Sequence, residues 1–210
     1  MDTIIISALV FGSIIGMTFI VERGLALRWR KVIPAEVEAA LDTCRTSEDL
    51  PTLRRICEQH PAPLSRLLLL ADQHRDWPKA ENISTLETKA RHEISKLERG
   101  LVILEIVVGV APLTGLVGTV YGLITLFGGM SESGFGDNGA LAKGVGIALY
   151  ATLLGLLTAI PSLIAWSYYN KKVENISVEL AALCEDFLRR QYHNSPVTAE
   201  RVEATGLQKK

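Results

Sequence analysis

Residues 101–128 read LVILEIVVGVAPLTGLVGTVYGLITLFG, and residues 145–168 read VGIALYATLLGLLTAIPSLIAWSY. Each stretch is long enough to cross a bilayer core of about 30 Å as a helix, which takes roughly 20 residues. If the two form a hairpin, Thr119 lies nine residues before the turn-side end of the first, and Thr152 lies seven residues after that of the second. At about 1.5 Å per helical residue, both hydroxyls are then roughly 10–14 Å below the same membrane face. A matched pair of hydroxyls among small residues predicts a wall along which a polar species moves, and not a catalytic centre.

The rest of the composition limits what the chain can be. Its 210 residues are 48% hydrophobic and 21% charged, with a formal net charge of −1, so it has no bulk electrostatic attraction to nucleic acid. Residues 3–21 form a third charge-free stretch. A cleaved signal peptide is the alternative for this stretch, but signal peptides carry positive charge before a shorter apolar core, and here Asp2 precedes it and Arg23 follows. We therefore predict an all-α membrane protein with three transmembrane helices in the lipid bilayer.

The placement of charge sets the predicted orientation. Of the 22 Lys and Arg residues, 14 lie in residues 23–99 and 7 lie from Lys171 onward, which leaves only Lys143 elsewhere. Basic segments remain in the cytoplasm, so the N-terminus is predicted to be periplasmic and the C-terminus cytoplasmic. The predicted segments, in chain order, are a first transmembrane helix at 1–22, a cytoplasmic helical region at 23–100, a second transmembrane helix at 101–128, a short periplasmic loop at 129–143, a third transmembrane helix at 144–169, and a cytoplasmic C-terminal helix with a disordered tail at 170–210.

The second and third transmembrane helices are predicted to extend into the cytoplasm as long amphipathic helices. Apolar residues recur at steps of three and four from Ile83 to Leu104, and again from Val173 to Leu188. No proline or loop signal separates the first stripe from the second span, and Gly100 is its only weak point. The helices are interpreted as packing on each other within one chain. Packing against neighbouring copies is expected as well, because such narrow stripes make a thin core for a monomer.

Small residues and prolines mark the second and third spans. Small residues let helices approach closely in lipid, where no hydrophobic force draws them together. A proline leaves one backbone carbonyl of its helix without a donor, and it is either a packing kink or a water-accessible point of flexing. The residues assigned to helix packing and kinks are Pro112, Gly115, Gly118, Gly122, Gly155 and Pro161.

Ionisable residues are nearly absent from these two spans. Glu105 is the only one, and it lies near the predicted cytoplasmic end. It is either an interfacial residue that reaches water or an entry or exit point for ions. Because threonine hydroxyls can relay a proton but do not store charge at neutral pH, an ion carrier would have to come from another chain.

Metal and enzyme chemistry have no support in the sequence. Cys44, Cys57 and Cys184 are far apart, and none of the four histidines pairs with a Cys or His at ligand spacing. We expect reduced, structural thiols, no metal site and no cofactor. No nucleophile–base pair or phosphate-binding loop is visible, so the chain is not expected to be an enzyme.

The segments 97–127 and 144–170 resemble the two signature segments of the TolQ/ExbB/MotA proton-channel family, and most closely its TolQ and ExbB branch. The matching patterns are APLxGLxGTVxG and ALxATxxGLxxAIPxxIA. The resemblance implies a homopentamer in the bacterial inner (cytoplasmic) membrane whose second and third spans line a central passage. It also implies two copies of a single-span TolR/ExbD/MotB-like partner. A transmembrane Asp of that partner takes up and releases the ion, which is H⁺ or, as the alternative, Na⁺.

The resemblance also assigns roles to individual residues. Thr119 and Thr152 match pore-facing threonines of the family, and Glu105 and Tyr150 are placed with them on the ion pathway. One position departs from the pattern, because Ile147 replaces a Glu that usually precedes ALxAT, and this affects the ion route on the outer side. The implied function is a motor subunit that couples proton motive force to work at the cell envelope. A membrane scaffold that conducts nothing is the alternative.

Overall fold

The structure is a computed structural model in which residues 2–46, 48–133 and 138–193 are described. These residues form eight α-helices and no strand, which confirms the predicted all-α class. In chain order the helices are α1 (Asp2–Ala26), α2 (Trp29–Val32), α3 (Ala35–Thr43), α4 (Leu50–Gln59), α5 (Pro63–Gln73), α6 (Lys79–Glu98), α7 (Leu101–Ser133) and α8 (Asn138–His193). By length and composition, α1, α7 and α8 can each cross a membrane.

The described helices divide into two compact units. The first, here called the membrane unit, comprises Met1–Leu25 and Glu98–Lys171. The second, here called the extramembrane unit, comprises Ala26–Leu97 and Lys172–Lys210. The tail predicted to be disordered after Ser195 lies outside the described residues.

The two predicted long helices differ in continuity. α8 is a single helix of 56 residues, which confirms that the third span is extended. The stripe expected to run unbroken into the second span is divided, since α6 ends at Glu98 and α7 begins at Leu101. A Cβ atom on Gly100 would lie 2.0 Å from the Nε atom of Arg23 in α1. Gly100 thus lies against the end of this side chain, a contact that the local sequence does not reveal.

Both long helices of the membrane unit reach beyond the predicted span ends. α7 continues to Ser133 and α8 begins at Asn138, so helix replaces most of the loop predicted at 129–143. The four residues between them lie outside the described residues. Both helices continue through their internal prolines, Pro112 and Pro161.

Short helices complete the core of the extramembrane unit. Pro34 precedes α3, and Pro51 and Pro63 lie in the first turns of α4 and α5, where the missing N–H costs nothing. The buried residues of these helices form one hydrophobic cluster with the stripes of α6 and α8. The stripe residues in this cluster are Leu86, Ile176, Leu180, Phe187 and Leu188. The core is therefore larger than the stripes alone predict, because α3, α4 and α5 cover them.

A buried carboxylate is held by two cations in this unit. Only 1% of the Glu93 side chain is exposed. Its Oε2 accepts hydrogen bonds from Arg66 at 2.5 and 3.2 Å, and its Oε1 accepts one from Lys96 Nζ at 2.9 Å. Burial raises the pKa of Glu93, but the hydrogen bonds and charges of Arg66 and Lys96 outweigh burial and hold that pKa below its ordinary value.

The end of α8 is tied to the short helices by buried polar contacts. Asn82 is fully buried, and its Nδ2 donates to Ala71 O at 3.1 Å and to Tyr192 Oη at 3.0 Å. Arg190 Nη1 donates to Leu41 O at 3.1 Å. These bonds fix the last turns of α8 against α3, α5 and α6.

The three cysteines are free and buried in the core of the extramembrane unit. Burial raises the pKa of the Cys44 thiol and raises that of Cys57 to about 11. Because the thiolate is the reactive form, both groups are protonated and unreactive at neutral pH, which agrees with the predicted structural role.

Replacing Glu93 with Gln is expected to lower the free energy of unfolding at neutral pH by about 1–3 kcal/mol, the worth of hydrogen bonds to charged groups. The lowered pKa of Glu93 sets the pH dependence. Its stabilisation is present above the unfolded-state pKa of about 4.3 and is lost as the pH falls through the folded-state pKa. Thermal melts followed by circular dichroism should therefore differ between wild type and Glu93→Gln at pH 7 and converge as the pH falls through the lowered pKa of Glu93.

Glu87 provides the matched control, because it is an exposed glutamate of the same helix. Glu87→Gln should melt like wild type across this pH range. Equal stability of Glu93→Gln and wild type at pH 7 would show that the buried carboxylate contributes nothing.

Candidate ion-pathway site

Two glycines let the backbones of α7 and α8 come together. A Cβ atom on Gly115 would lie 2.9 Å from Ala151 O and 3.4 Å from Gly155 Cα. A Cβ atom on Gly155 would lie 2.6 Å from Ala111 O. Backbone atoms cannot yield as the end of a flexible side chain does. Both positions therefore need glycine for this crossing.

The crossing brings the two predicted pathway threonines side by side. The hydroxyls of Thr119 and Thr152 are hydrogen-bonded to each other. Thr152 Oγ1 also donates to Gly115 O at 3.1 Å. Thr119 Oγ1 lies 3.3 Å from that same oxygen and 3.2 Å from Ala148 O. Two hydroxyl protons are thus shared among two backbone carbonyls and the two hydroxyl oxygens, so the pair can change its pattern of donation without moving its backbone.

The threonine pair is turned away from α1. A Cβ atom on Gly118 would lie 2.6 Å from Ala151 Cβ and 3.2 Å from Ile5 Cγ2, so α1 covers this side of the α7–α8 contact. Thr119 and Thr152 are the next residues on their helices, and successive helical residues are rotated by about 100°. Both threonines are half-buried. They lie on the edge of the contact that α1 leaves uncovered.

Glu105 is exposed and follows the same side of α7 as Thr119. The 14 residue steps from Glu105 to Thr119 correspond to a rotation within about 40° of whole turns and an axial distance of about 21 Å. Pro112 lies between them, within about 20° of both side chains in helical rotation. The carboxylate therefore lies on the line that leads along α7 to the threonine pair, near the beginning of the span.

Tyr150 lies apart from the threonine pair. Its side chain is 67% exposed and lines a cavity of about 420 Å³ between α1, α7 and α8. Gly118 and Thr125 also line this cavity. Because Tyr150 precedes Thr152 by two residues, their side chains leave α8 roughly 160° apart. The structure therefore does not bring Tyr150 to the threonines.

Three buried hydroxyl residues escaped the sequence analysis. Thr158, Ser162 and Tyr169 follow one face of α8. Ser162 Oγ donates to Thr158 O at 2.9 Å, and Tyr169 Oη donates to Ile20 O of α1 at 2.8 Å. A Cβ atom on Gly16 would lie 2.9 Å from Ser162 Oγ. Their common face on α8 was the signal that could have identified them. Of the three hydroxyls, that of Tyr169 links α8 to α1.

Along the second and third predicted spans, the polar chemistry is that of hydroxyl groups and of one exposed carboxylate, Glu105. In the part of the chain that the structure describes, no three His, Cys, Asp or Glu side chains are grouped to hold a metal ion. What the site offers is a set of hydrogen bonds that can be rearranged within an apolar pair of helices.

Comparison with known proteins identifies relatives of the chain. The signature of the MotA/TolQ/ExbB proton channel family matches residues 60–182. The Tol-Pal system protein TolQ of Pseudomonas aeruginosa is 27% identical over 91% of this chain and 89% of its own length. A protein named ExbB-like 1 from Synechocystis sp. is 32% identical over 73% of this chain, which spans 62% of that relative's length. The biopolymer transport protein ExbB of Helicobacter pylori is 38% identical over 45% of this chain and 68% of its own length.

Gly155→Ala is expected to destabilise the membrane unit by about 1–3 kcal/mol, because the added methyl group forces the backbones of α7 and α8 apart. Gly12→Ala is the matched control, since a Cβ atom there meets nothing within 4 Å. It should be neutral or should stabilise by about 0.5–1 kcal/mol through a better helix former. Thermal unfolding in mild detergent measures both variants. If Gly155→Ala is as stable as Gly12→Ala, the close crossing does not exist.

Proposed function

Because the chain belongs to the MotA/TolQ/ExbB proton channel family, we propose that it is the pentameric channel subunit of an ion-driven motor in the inner membrane. With two copies of a single-span TolR/ExbD/MotB-like partner, it couples proton motive force to mechanical work at the cell envelope. Its N-terminus is periplasmic and its C-terminus cytoplasmic, and it has no enzymatic activity. The similarity to TolQ and ExbB relatives supports this assignment.

The hydroxyl pair of Thr119 and Thr152 is the observation that carries the proposal. It lies inside an apolar pair of helices, on the edge that α1 leaves uncovered. A polar group that contacts this edge can form hydrogen bonds with two hydroxyls, each able to donate or accept. At this membrane depth neither α7 nor α8 has a charged side chain. Such an edge suits a carboxylate that must exchange an ion, because each hydroxyl can serve either protonation state of it.

The ion carrier comes from the partner in this proposal. Residues 106–128 and 144–169, which lie in the second and third predicted spans, include no Asp, Glu, Lys, Arg or His. A threonine hydroxyl does not ionise at physiological pH, so the pair can pass a proton but not hold the charge. A transmembrane Asp of the partner supplies that group, and H⁺ is the proposed ion, with Na⁺ as the alternative.

In a pentamer, the apolar faces of α7 and α8 that are exposed in the single chain would be covered by neighbouring helices. Leu116 on α7 and Leu149 and Leu156 on α8 are exposed in the single chain and lie on the threonine side of their helices. We propose that five such faces surround the passage and the partner's helices. The glycines Gly115, Gly118, Gly122 and Gly155 hold each α7–α8 pair together, and Pro112 and Pro161 leave carbonyls free for hydrogen bonds within this assembly.

Glu105 and Tyr150 have separate places in the proposed pathway. Glu105 is the cytoplasmic-side charge through which the ion leaves or enters, because it lies along α7 in line with Thr119. Tyr150 contributes a hydroxyl at the cavity near α1, on the outer side. Ile147 stands where the family pattern has a glutamate, so the chain has no carboxylate at this position.

A non-conducting membrane scaffold is the second candidate, and one observation favours it. The hydroxyls of Thr119 and Thr152 already find backbone acceptors and each other within a single chain. Polar residues whose role is purely structural form the same kind of hydrogen bond between membrane helices. The two functions therefore differ in whether the hydroxyls matter beyond packing.

The double variant Thr119→Val/Thr152→Val separates these functions. Valine keeps the shape of threonine but deletes the hydroxyl. Each lost hydrogen bond contributes about 1 kcal/mol, and a hydrogen bond to a charged group contributes more. Proton flux through the complex reconstituted with the partner should therefore fall at least about tenfold. Assembly and partner binding, measured by native mass spectrometry, should remain as in wild type.

Thr125→Val is the matched control, because the Thr125 hydroxyl bonds only Tyr121 O, one turn earlier in its own helix. It should conduct like wild type. A double variant that assembles and conducts like wild type would reduce the hydroxyls to packing groups and overturn their role in the ion pathway. A wild-type complex with the partner that carries no proton flux would favour the scaffold.

Glu105→Gln tests the proposed cytoplasmic end of the pathway. It removes one charge while keeping the side-chain volume, so the complex should assemble normally. Proton flux should fall by roughly tenfold or less, because the exposed carboxylate acts through a field that solvent and salt screen. Glu98→Gln, an exposed glutamate at the end of α6, is the control and should have no effect. Equal flux in both variants would make Glu105 an interfacial anchor only.

A further inference from the structure

Four consecutive side chains after α1 form an exposed basic cluster around a tryptophan. This cluster, here called the 28–31 cluster, consists of Arg28, Trp29, Arg30 and Lys31. All four side chains are exposed, and Trp29 is 40% exposed despite its large apolar ring. The ring presents apolar surface beside three cations, a combination that suits a partner with both an anionic and an apolar part.

The backbone of the cluster is fixed by the residues on either side. Leu27 is fully buried, and Val32 and Ile33 are part of the core of the extramembrane unit. Lys31 N donates to Arg28 O at 2.9 Å, and Ile33 N donates to Trp29 O at 2.8 Å, closing the short helix α2. The four outward side chains are therefore presented together by a turn that is anchored at both ends.

The three cations of the cluster lack acidic neighbours. Across residues 2–46, 48–133 and 138–193, no carboxylate forms an ion pair with Arg28, Arg30 or Lys31, whereas Arg54, Arg66 and Arg190 each have one. Three uncompensated positive charges within four consecutive residues repel one another. An anion that lies against them removes this repulsion.

The position of the cluster in the chain identifies the anion. The candidate span Ile5–Ala26 ends two residues before Arg28, so the cluster cannot be far from the bilayer surface. Tryptophan is enriched at the level of lipid headgroups, where its ring is apolar and its N–H finds an acceptor. Clusters of Lys and Arg next to a span attract anionic lipids, and guanidinium groups match phosphate oxygens in geometry.

We propose that the 28–31 cluster is a binding site for the phosphate-bearing headgroup of an anionic phospholipid. Arg28, Arg30 and Lys31 contact the headgroup, and Trp29 lies at the boundary with the acyl chains. This inference needs only the membrane span of α1 and is independent of ion conduction. A defect in lipid binding can therefore be distinguished from a defect in the proposed channel.

The test compares lipid retention by the full-length protein in nanodiscs that contain equal amounts of phosphatidylglycerol and phosphatidylcholine. After release into mild detergent, native mass spectrometry counts the lipids that remain bound. Wild type should retain phosphatidylglycerol in preference to phosphatidylcholine. The variant Arg28→Gln/Arg30→Gln/Lys31→Gln should lose this preference by at least about tenfold, because each basic residue near a charged surface contributes a factor of about five.

Two further variants separate the site from general charge and from folding. Arg55→Gln/Arg75→Gln/Lys79→Gln removes the same charge from exposed positions that do not adjoin a span, and it should retain phosphatidylglycerol like wild type. Trp29→Ala should weaken the retention of both lipids equally, since the ring contacts no charge. Circular dichroism should show wild-type helix content in all three variants. Retention of phosphatidylglycerol by the 28–31 variant, or equal loss in the control, would overturn the proposal.

Discussion

The close crossing of α7 and α8 at Gly115 and Gly155 is the contact on which the membrane unit depends. Lipid gives two apolar helices no hydrophobic reason to associate, so close packing and hydrogen bonds between helices have to hold them. The missing Cβ atoms let Gly115 O come within 3.1 Å of the Thr152 hydroxyl, a bond between helices that a larger side chain at either glycine would prevent. The same contact therefore stabilises the fold and builds the candidate site.

The two units are stabilised by different means. In the membrane unit the large apolar side chains, such as Phe11, Ile124 and Ile164, point outward, and small residues lie between the helices. In the extramembrane unit the large apolar residues are inside, where leaving water is the driving force, and Glu93 is buried only because two cations compensate it. Large side chains thus pack toward whatever is least polar nearby, which is lipid in one unit and the protein core in the other.

The sequence predicted the parts of the fold that depend on local pattern. Apolar length placed the three spans, and counting from the hairpin turn placed Thr119 and Thr152 at the same depth. The sequence marked Gly100 as the weak point of the stripe, but its contact with Arg23 could not be predicted, because the two residues are close only in the folded chain. The acceptors of the threonine hydroxyls could not be predicted either, since they depend on how closely two backbones approach. Tyr150 was assigned to the pathway because it lies within the signature segment. Its side chain leaves α8 on the side opposite to that of Thr152.

The arrangement of acceptors explains how a packing contact could also serve ion exchange in the proposed channel. Gly115 O receives the Thr152 hydroxyl and lies near that of Thr119, besides accepting the bond of its own helix. If one hydroxyl turned to a partner carboxylate, the other would still satisfy this carbonyl, so no buried acceptor would be left without a donor. The cost of donation is then the exchange of one hydrogen bond for another, and the bond to a charged group is the stronger of the two. A single threonine would have to abandon its acceptor to do the same. This is a physical reason for the site to contain two.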